Sequence, residues 1–111
     1  MTVVNPQSFT VTDTVVAAQG VTQFDLVVGT TSGGPYTASK ATVLVSSLTA
    51  GANGTYVGVF SALSFSPALS PFTTYFMVAE AQNSSGTSGG SPEASFQIET
   101  APTAPTGLAL A

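Results

Sequence analysis

The chain has 111 residues, no cysteine and no histidine, and only 5% of its side chains are charged: one base, Lys40, against Asp13, Asp25, Glu80, Glu93 and Glu99. Disulfides, thiol nucleophiles, imidazole acid/base groups and the usual zinc ligand sets are thereby excluded. One lysine without arginine cannot neutralise a run of phosphates, so neither nucleic acid nor an anionic membrane surface is an expected partner.

The length suits a single domain that buries roughly two thirds of its unfolded surface. No apolar run approaches the roughly 20 residues of a membrane-spanning helix, so no membrane insertion is expected. Residues 1–5 lack the basic and apolar regions of a secretory signal, so either export is not signal-directed or the sequence begins after a cleavage point.

Along the chain, Phe9, Val11 and Asp13 alternate with Thr10, Thr12 and Thr14. This predicts a first strand that runs on through Val15 and Val16 toward Gln19 and Gly20, as one strand or two. Residues 24–28 (FDLVV) predict the next, followed by a turn-rich run from Gly29 to Pro35. Another strand is expected over residues 41–46, and then a turn at Gly51, Ala52, Asn53 and Gly54. Beyond it Tyr56, Gly58, Phe60 and Ala62 alternate with Val57, Val59 and Ser61.

The stretch 69–86 (LSPFTTYFMVAEAQNSSG) carries the clearest pattern. Leu69 and Pro71 close a loop, and Tyr75, Met77, Ala79 and Ala81 then share one strand face while Phe76, Val78, Glu80 and Gln82 share the other. Asn83, Ser84, Ser85 and Gly86 supply a tight turn, after which Ala94, Phe96 and Ile98 resume the alternation. No window carries a helical i, i+3, i+4, i+7 stripe.

These segments predict an all-β chain folded as a two-sheet antiparallel sandwich of about seven strands, with a barrel as the other architecture. The expected core is Phe9, Val11, Phe24, Leu26, Val28, Val43, Val45, Tyr56, Phe60, Leu69, Tyr75, Met77, Ala79 and Phe96. Each large apolar side chain buried there contributes about 1.5 to 3 kcal/mol, and such a core requires no cofactor.

Residues 24–28 followed by GTTSGGPYT (29–37), then LSPFTTYFMVAEAQNSSGTS (69–88) and SPEASF (91–96), resemble the fibronectin type III domain, notably its bacterial and phage variants. The resemblance covers roughly the C-terminal three quarters of the chain and implies an immunoglobulin-like sandwich. It implies a structural corner formed by Leu69, Pro71 and Tyr75, with the tyrosine hydroxyl capping the corner backbone. The family's A-x-N-x-x-G-x-S turn corresponds to Ala81, Asn83, Gly86 and Ser88. Two features depart from the family: there is no tryptophan, so Phe9, Val11 or Val15 must fill its place, and residues 37–69 are longer than expected. The extra apolar stretch 57–65 is either an added strand or an exposed binding edge. An Arg-Gly-Asp motif is absent. The division expected is a sandwich over residues 1–100 and a Pro-rich arm or linker over 101–111.

No catalytic arrangement emerges: the many serines have no histidine to activate them, and Lys40 is the only basic group. Glu80, Glu93 and Glu99 read as solvated charges on outer faces. Asp13 and Asp25 lack a clustered D-x-D-x-D calcium loop. Residues 29–34 lack the Gly-Lys-Ser/Thr ending of a phosphate loop, and the formal glycosylation acceptors Asn53 and Asn83 read as turns. No metal or cofactor is expected.

Loop aromatics Tyr36, Phe65 and Phe72 are candidate contacts for a protein or a sugar, because aromatic rings offer apolar area at small entropic cost. The tail APTAPT (101–106) is stiff and extended, and the apolar end with Gly107, Leu108 and Leu110 is the other candidate interaction element. That tail also resembles the linker and first strand of a following fibronectin type III repeat.

The expected function is a non-enzymatic structural or interaction module. The leading form is a phage virion surface protein (capsid decoration, collar or tail accessory) that assembles through its chain ends and sheet edges. Its expected partners are copies of itself or a capsid or tail protein. The alternative is an adhesion, carbohydrate-binding or spacer repeat of a larger secreted bacterial protein, extracellular or on the cell surface, with cell-surface glycan as ligand.

Overall fold

Strands form where β-branched and aromatic residues alternate with hydroxyl-bearing ones. The computed structural model, which describes residues 2–111, places them at β1 (Thr2–Val4), β2 (Ser8–Thr12), β3 (Gln23–Gly29), β4 (Ser39–Leu44), β5 (Thr49–Ala50), β6 (Thr55–Val59), β7 (Thr74–Asn83), β8 (Gly86–Thr87) and β9 (Ala94–Gln97). They build two layers. The larger sheet has the order β1-β9-β7-β3-β4, with β8 closing a hairpin on β7, and the smaller has the order β2-β6-β5.

The chain is thus an all-β sandwich, and its pairings are antiparallel except that β1 lies parallel to β9, with Val3 opposite Phe96. The register of the central strands sets the core. Leu26 stands opposite Ala41 on one side and Ala79 on the other, so residues of one parity share the inner face. Phe24, Leu26 and Val28 are the most deeply buried large side chains.

Around them lie two connected apolar clusters. One gathers on Val11, Val21, Phe24, Leu26 and Ala41, and the other on Val28, Phe60, Tyr75 and Phe96. Every core residue expected from the alternation lies in or against one of these clusters. Gly58 makes room within the smaller sheet: a Cβ there would stand 2.5 Å from the Phe9 ring and 2.7 Å from Leu48.

Three strands end earlier than their alternation suggests. The first stops at Thr12, because the Asp13 carboxylate accepts the N–H of Val15 (3.0 Å) and turns the chain. Val16–Gln19 then forms a single helical turn that ends on Gly20 at φ 62°. β4 gives way to a 3-10 turn at Val45–Ser47, and β6 to another at Phe60–Ala62. Phe60 keeps the inward parity of Tyr56 and Gly58 and points into the core while Val57 and Val59 stay on the outer face, and the strand ends only after it.

The C-terminal arm lies outside the sandwich. Its last ties are Phe72 N–H to the Ile98 carbonyl (2.7 Å) and Glu99 N–H to the Asn5 side-chain carbonyl (2.8 Å). Beyond them residues 99–111 are exposed, and the molecule extends 72 Å in one direction against 27 and 23 Å in the others.

Candidate interaction surface

The corner before β7 holds its loop through Tyr75, whose buried hydroxyl accepts the N–H of Ser70 at 2.7 Å. Leu69 packs on the Tyr75 cluster, Pro71 is exposed, and Phe72 stands outside at 55% exposure with φ 60°. Leu69 and Tyr75 therefore carry the packing of this corner, and Phe72 offers a ring to solvent.

On the outer face of the larger sheet, charge is paired. Asp25, 3% exposed, accepts from Gln23 Nε2 (3.0 Å) and Thr42 Oγ1 (3.2 Å) and lies 3.6 Å from Lys40 Nζ. The chain's single base is thus bound to its one buried acid. Glu80 is directly across the strand pair from Asp25, and Lys40 offsets the like charge there. Among the described residues no three acidic side chains converge as metal ligands.

Two loops are stapled by Glu93. Its carboxylate accepts from the Tyr36 hydroxyl (2.6 Å), the Gly33 backbone N–H (2.7 Å) and the Ser32 hydroxyl (2.8 Å). These donors, the tyrosine first, hold the Glu93 carboxyl below its ordinary value, and the same hydrogen bond raises the Tyr36 phenol. Hydrogen bonding to the ionised form fixes the loops after β3 and before β9 against each other.

Apolar groups reach solvent in two other places. On the smaller sheet, Val57 (38% exposed) and Val59 (61%) share a face with Thr10, Ser8 and Thr55 that carries no charge. In the arm, Leu108 and Leu110 are 91% and 90% exposed and touch nothing. Apolar area and hydroxyls are displayed here, while Asp25 is paired with Lys40 and Glu93 with Tyr36.

No family model, curated protein or solved structure matches the chain.

The structure divides the sequence candidates. Leu108 and Leu110 are fully displayed, Gly107 between arm and tip is exposed, and Phe72 is exposed at the corner. Phe65 is a correction: it is not a free loop aromatic but packs in both clusters, 5.9 Å from Phe60 and 6.4 Å from Phe96 between ring centroids. The cause is the turn at Phe60–Ala62, after which the segment runs beside β4, where Ser66 pairs with Lys40. Tyr36 is half-buried and its hydroxyl is committed to Glu93.

Two functional features escape sequence reasoning. One is the pairing role of Glu93, 57 positions from Tyr36, for which no local spacing gives a signal. The other is the unpaired edge of β2, which follows only from the sheet order.

Proposed function

We propose that this chain is a non-enzymatic structural module that assembles with copies of itself, or with another subunit of a phage virion surface, through its C-terminal arm and sheet edges. The observation that carries this reading is the pair of leucines in the arm, each about nine-tenths exposed on an extended segment that packs on nothing. Apolar side chains displayed in this way gain about 1.5 to 3 kcal/mol each when a partner covers them. The uncharged Val/Thr face of the smaller sheet adds a second surface without a charge to desolvate.

The resemblance to bacterial and phage fibronectin type III domains supports the virion setting as a fold analogy. The Tyr75 to Ser70 bond and the Leu69 packing agree with the corner that the resemblance implies. A second reading is favoured by the same arm: a stiff Pro-rich spacer leading to an apolar alternation also suits one repeat of a larger secreted protein.

Sedimentation velocity of the purified chain from micromolar to millimolar concentration tests the proposal, alongside its detection by antibody on intact particles. Concentration-dependent growth or particle labelling is the expected result. A monomer at every concentration, with unlabelled particles, overturns it.

A further inference from the structure

The free edge of β2 has a definite polarity. Gln7 C=O accepts from Phe60 N–H (3.0 Å) and Asp13 N–H donates to Gly54 C=O (2.8 Å), so the odd-numbered residues of this strand bond β6. Ser8, Thr10 and Thr12 then turn their backbone groups the other way, and among the described residues no strand pairs with them. The strand that precedes β2 in the chain, β1, lies on the other sheet against β9.

That edge opens on an apolar seam between the two layers. Val3, Phe9, Phe60, Met77, Ala94 and Phe96 line one part, with space of about 190 Å³ and no charged side chain. The seam continues past Val11, Phe24, Ala79 and Gly90 for a further 180 Å³ or so, where Asp13 and Glu80 also border it.

The arm has the complementary form. Leu108 and Leu110 are two positions apart, as Phe9 and Val11 are in β2, so an extended arm presents both to one side. Residues 107–111 suffice to span the Ser8–Thr12 strand, about 16 Å at roughly 3.3 Å per residue. Neither the arm nor the first part of the seam bears a charged side chain. The Pro-containing spacer 101–106, about 19 Å long at roughly 3.1 Å per residue, carries the tip away from its own sandwich.

We propose that residues 107–111 of one copy add as a strand to the free β2 edge of a second copy, seating Leu108 and Leu110 in the seam beside Phe9. This rests on the self-assembly reading above and gives it a mechanism. Because donor and acceptor are different surfaces, the contact is head-to-tail and builds a ring or a filament unless two copies exchange arms.

Two full-length variants test it. Thr10→Pro deletes the central outward N–H without removing a bond to β6, a substitution that edge strands tolerate. Leu108→Ser/Leu110→Ser alters only side chains that are exposed in the isolated chain and leaves its fold untouched. Sedimentation should show association weakened roughly a hundredfold in the leucine variant and lost in the proline variant. Mixing the two should restore one junction only, giving one-to-one heterodimers and nothing larger.

The synthetic peptide APTAPTGLALA should dissociate wild-type assemblies, and its Leu-to-Ser counterpart should not. If wild type assembles and neither variant weakens it, strand addition is overturned while self-assembly stands. If wild type is a dilute monomer whose arm amides are protected from exchange, the arm folds back on its own seam and the second copy is overturned. If it is a monomer with unprotected arm amides, both readings fall.

Discussion

On one side of the sandwich, β4 turns Lys40 toward Ser66, and the two exchange both backbone bonds at 3.2 and 3.0 Å. Ser39 Oγ donates to the Pro67 carbonyl, and the Leu44 carbonyl is taken by Ser47 Oγ (2.7 Å). On the other side, β2 presents Ser8, Thr10 and Thr12 with no strand beside them. An uncovered edge is a template for another chain, and proteins usually blunt it with lysine, a bulge or a covering loop. Here the only lysine stands on the edge that is already covered. The contrast sets two of the four edge strands apart: the start of β4 is covered by the chain's own residues 66 and 67, and β2 is left without a covering segment beside an apolar seam.

The strongest way to break this contrast is at the closing segment. Phe65 touches both apolar clusters, and its ring meets Phe60 and Phe96. Phe65→Ala should cost about 3 kcal/mol, the lower end for a phenylalanine truncation because the ring is only half-buried. A urea midpoint that falls accordingly, measured at a concentration where the chain is monomeric, is expected. An unchanged midpoint would show that segment 60–68 does not hold the closed edge.

A smaller effect is expected at the corner that leads the closing segment back into β7. Tyr75→Phe removes the acceptor of the Ser70 N–H and leaves the ring packing with Phe96 in place, 5.6 Å between centroids. The expected loss is about 0.5 to 1.5 kcal/mol. Equal stability of the two proteins in denaturant would count against the hydrogen bond, while a loss far above that range would mean that the ring itself has moved.

The sandwich was legible in the sequence because alternation of side chains is a local property. Phe24, Leu26 and Val28, or Tyr75 and Met77, declare their inner face without reference to any partner strand. What alternation cannot carry is a change of direction. Residues 13–20 and 60–62 keep a strand-like pattern, yet Asp13 turns the first on its own carboxylate and the second closes a 3-10 turn through the Leu63 N–H on the Phe60 carbonyl. Phe65 reads as a loop aromatic for the same reason, since its burial depends on where that turn sends the chain. The arm was legible from its prolines and leucines, but its candidate dock was not, because a free edge is a property of sheet order and no single segment contains it.

The finest test concerns the open side, where the segment before β9 borders the seam through Gly90 and is tied down by Glu93. Glu93 ionises more readily in the fold than its ordinary value of 4.5, so what it adds to loop order is present above that value and is lost as pH falls through its lowered folded value. Tyr36 shifts upward from 10.0, so its share is present below that value and is lost as pH rises through the raised one. Between these limits the staple holds. The Gly33 amide resonance should therefore titrate with a midpoint below 4.5, and Glu93→Gln should abolish that titration while amides of β3 stay fixed. Because the carboxylate is in solvent, global stability should barely change. A Gly33 amide insensitive to acid would remove the staple, and with it the reason that one wall of the seam keeps its shape before a strand enters.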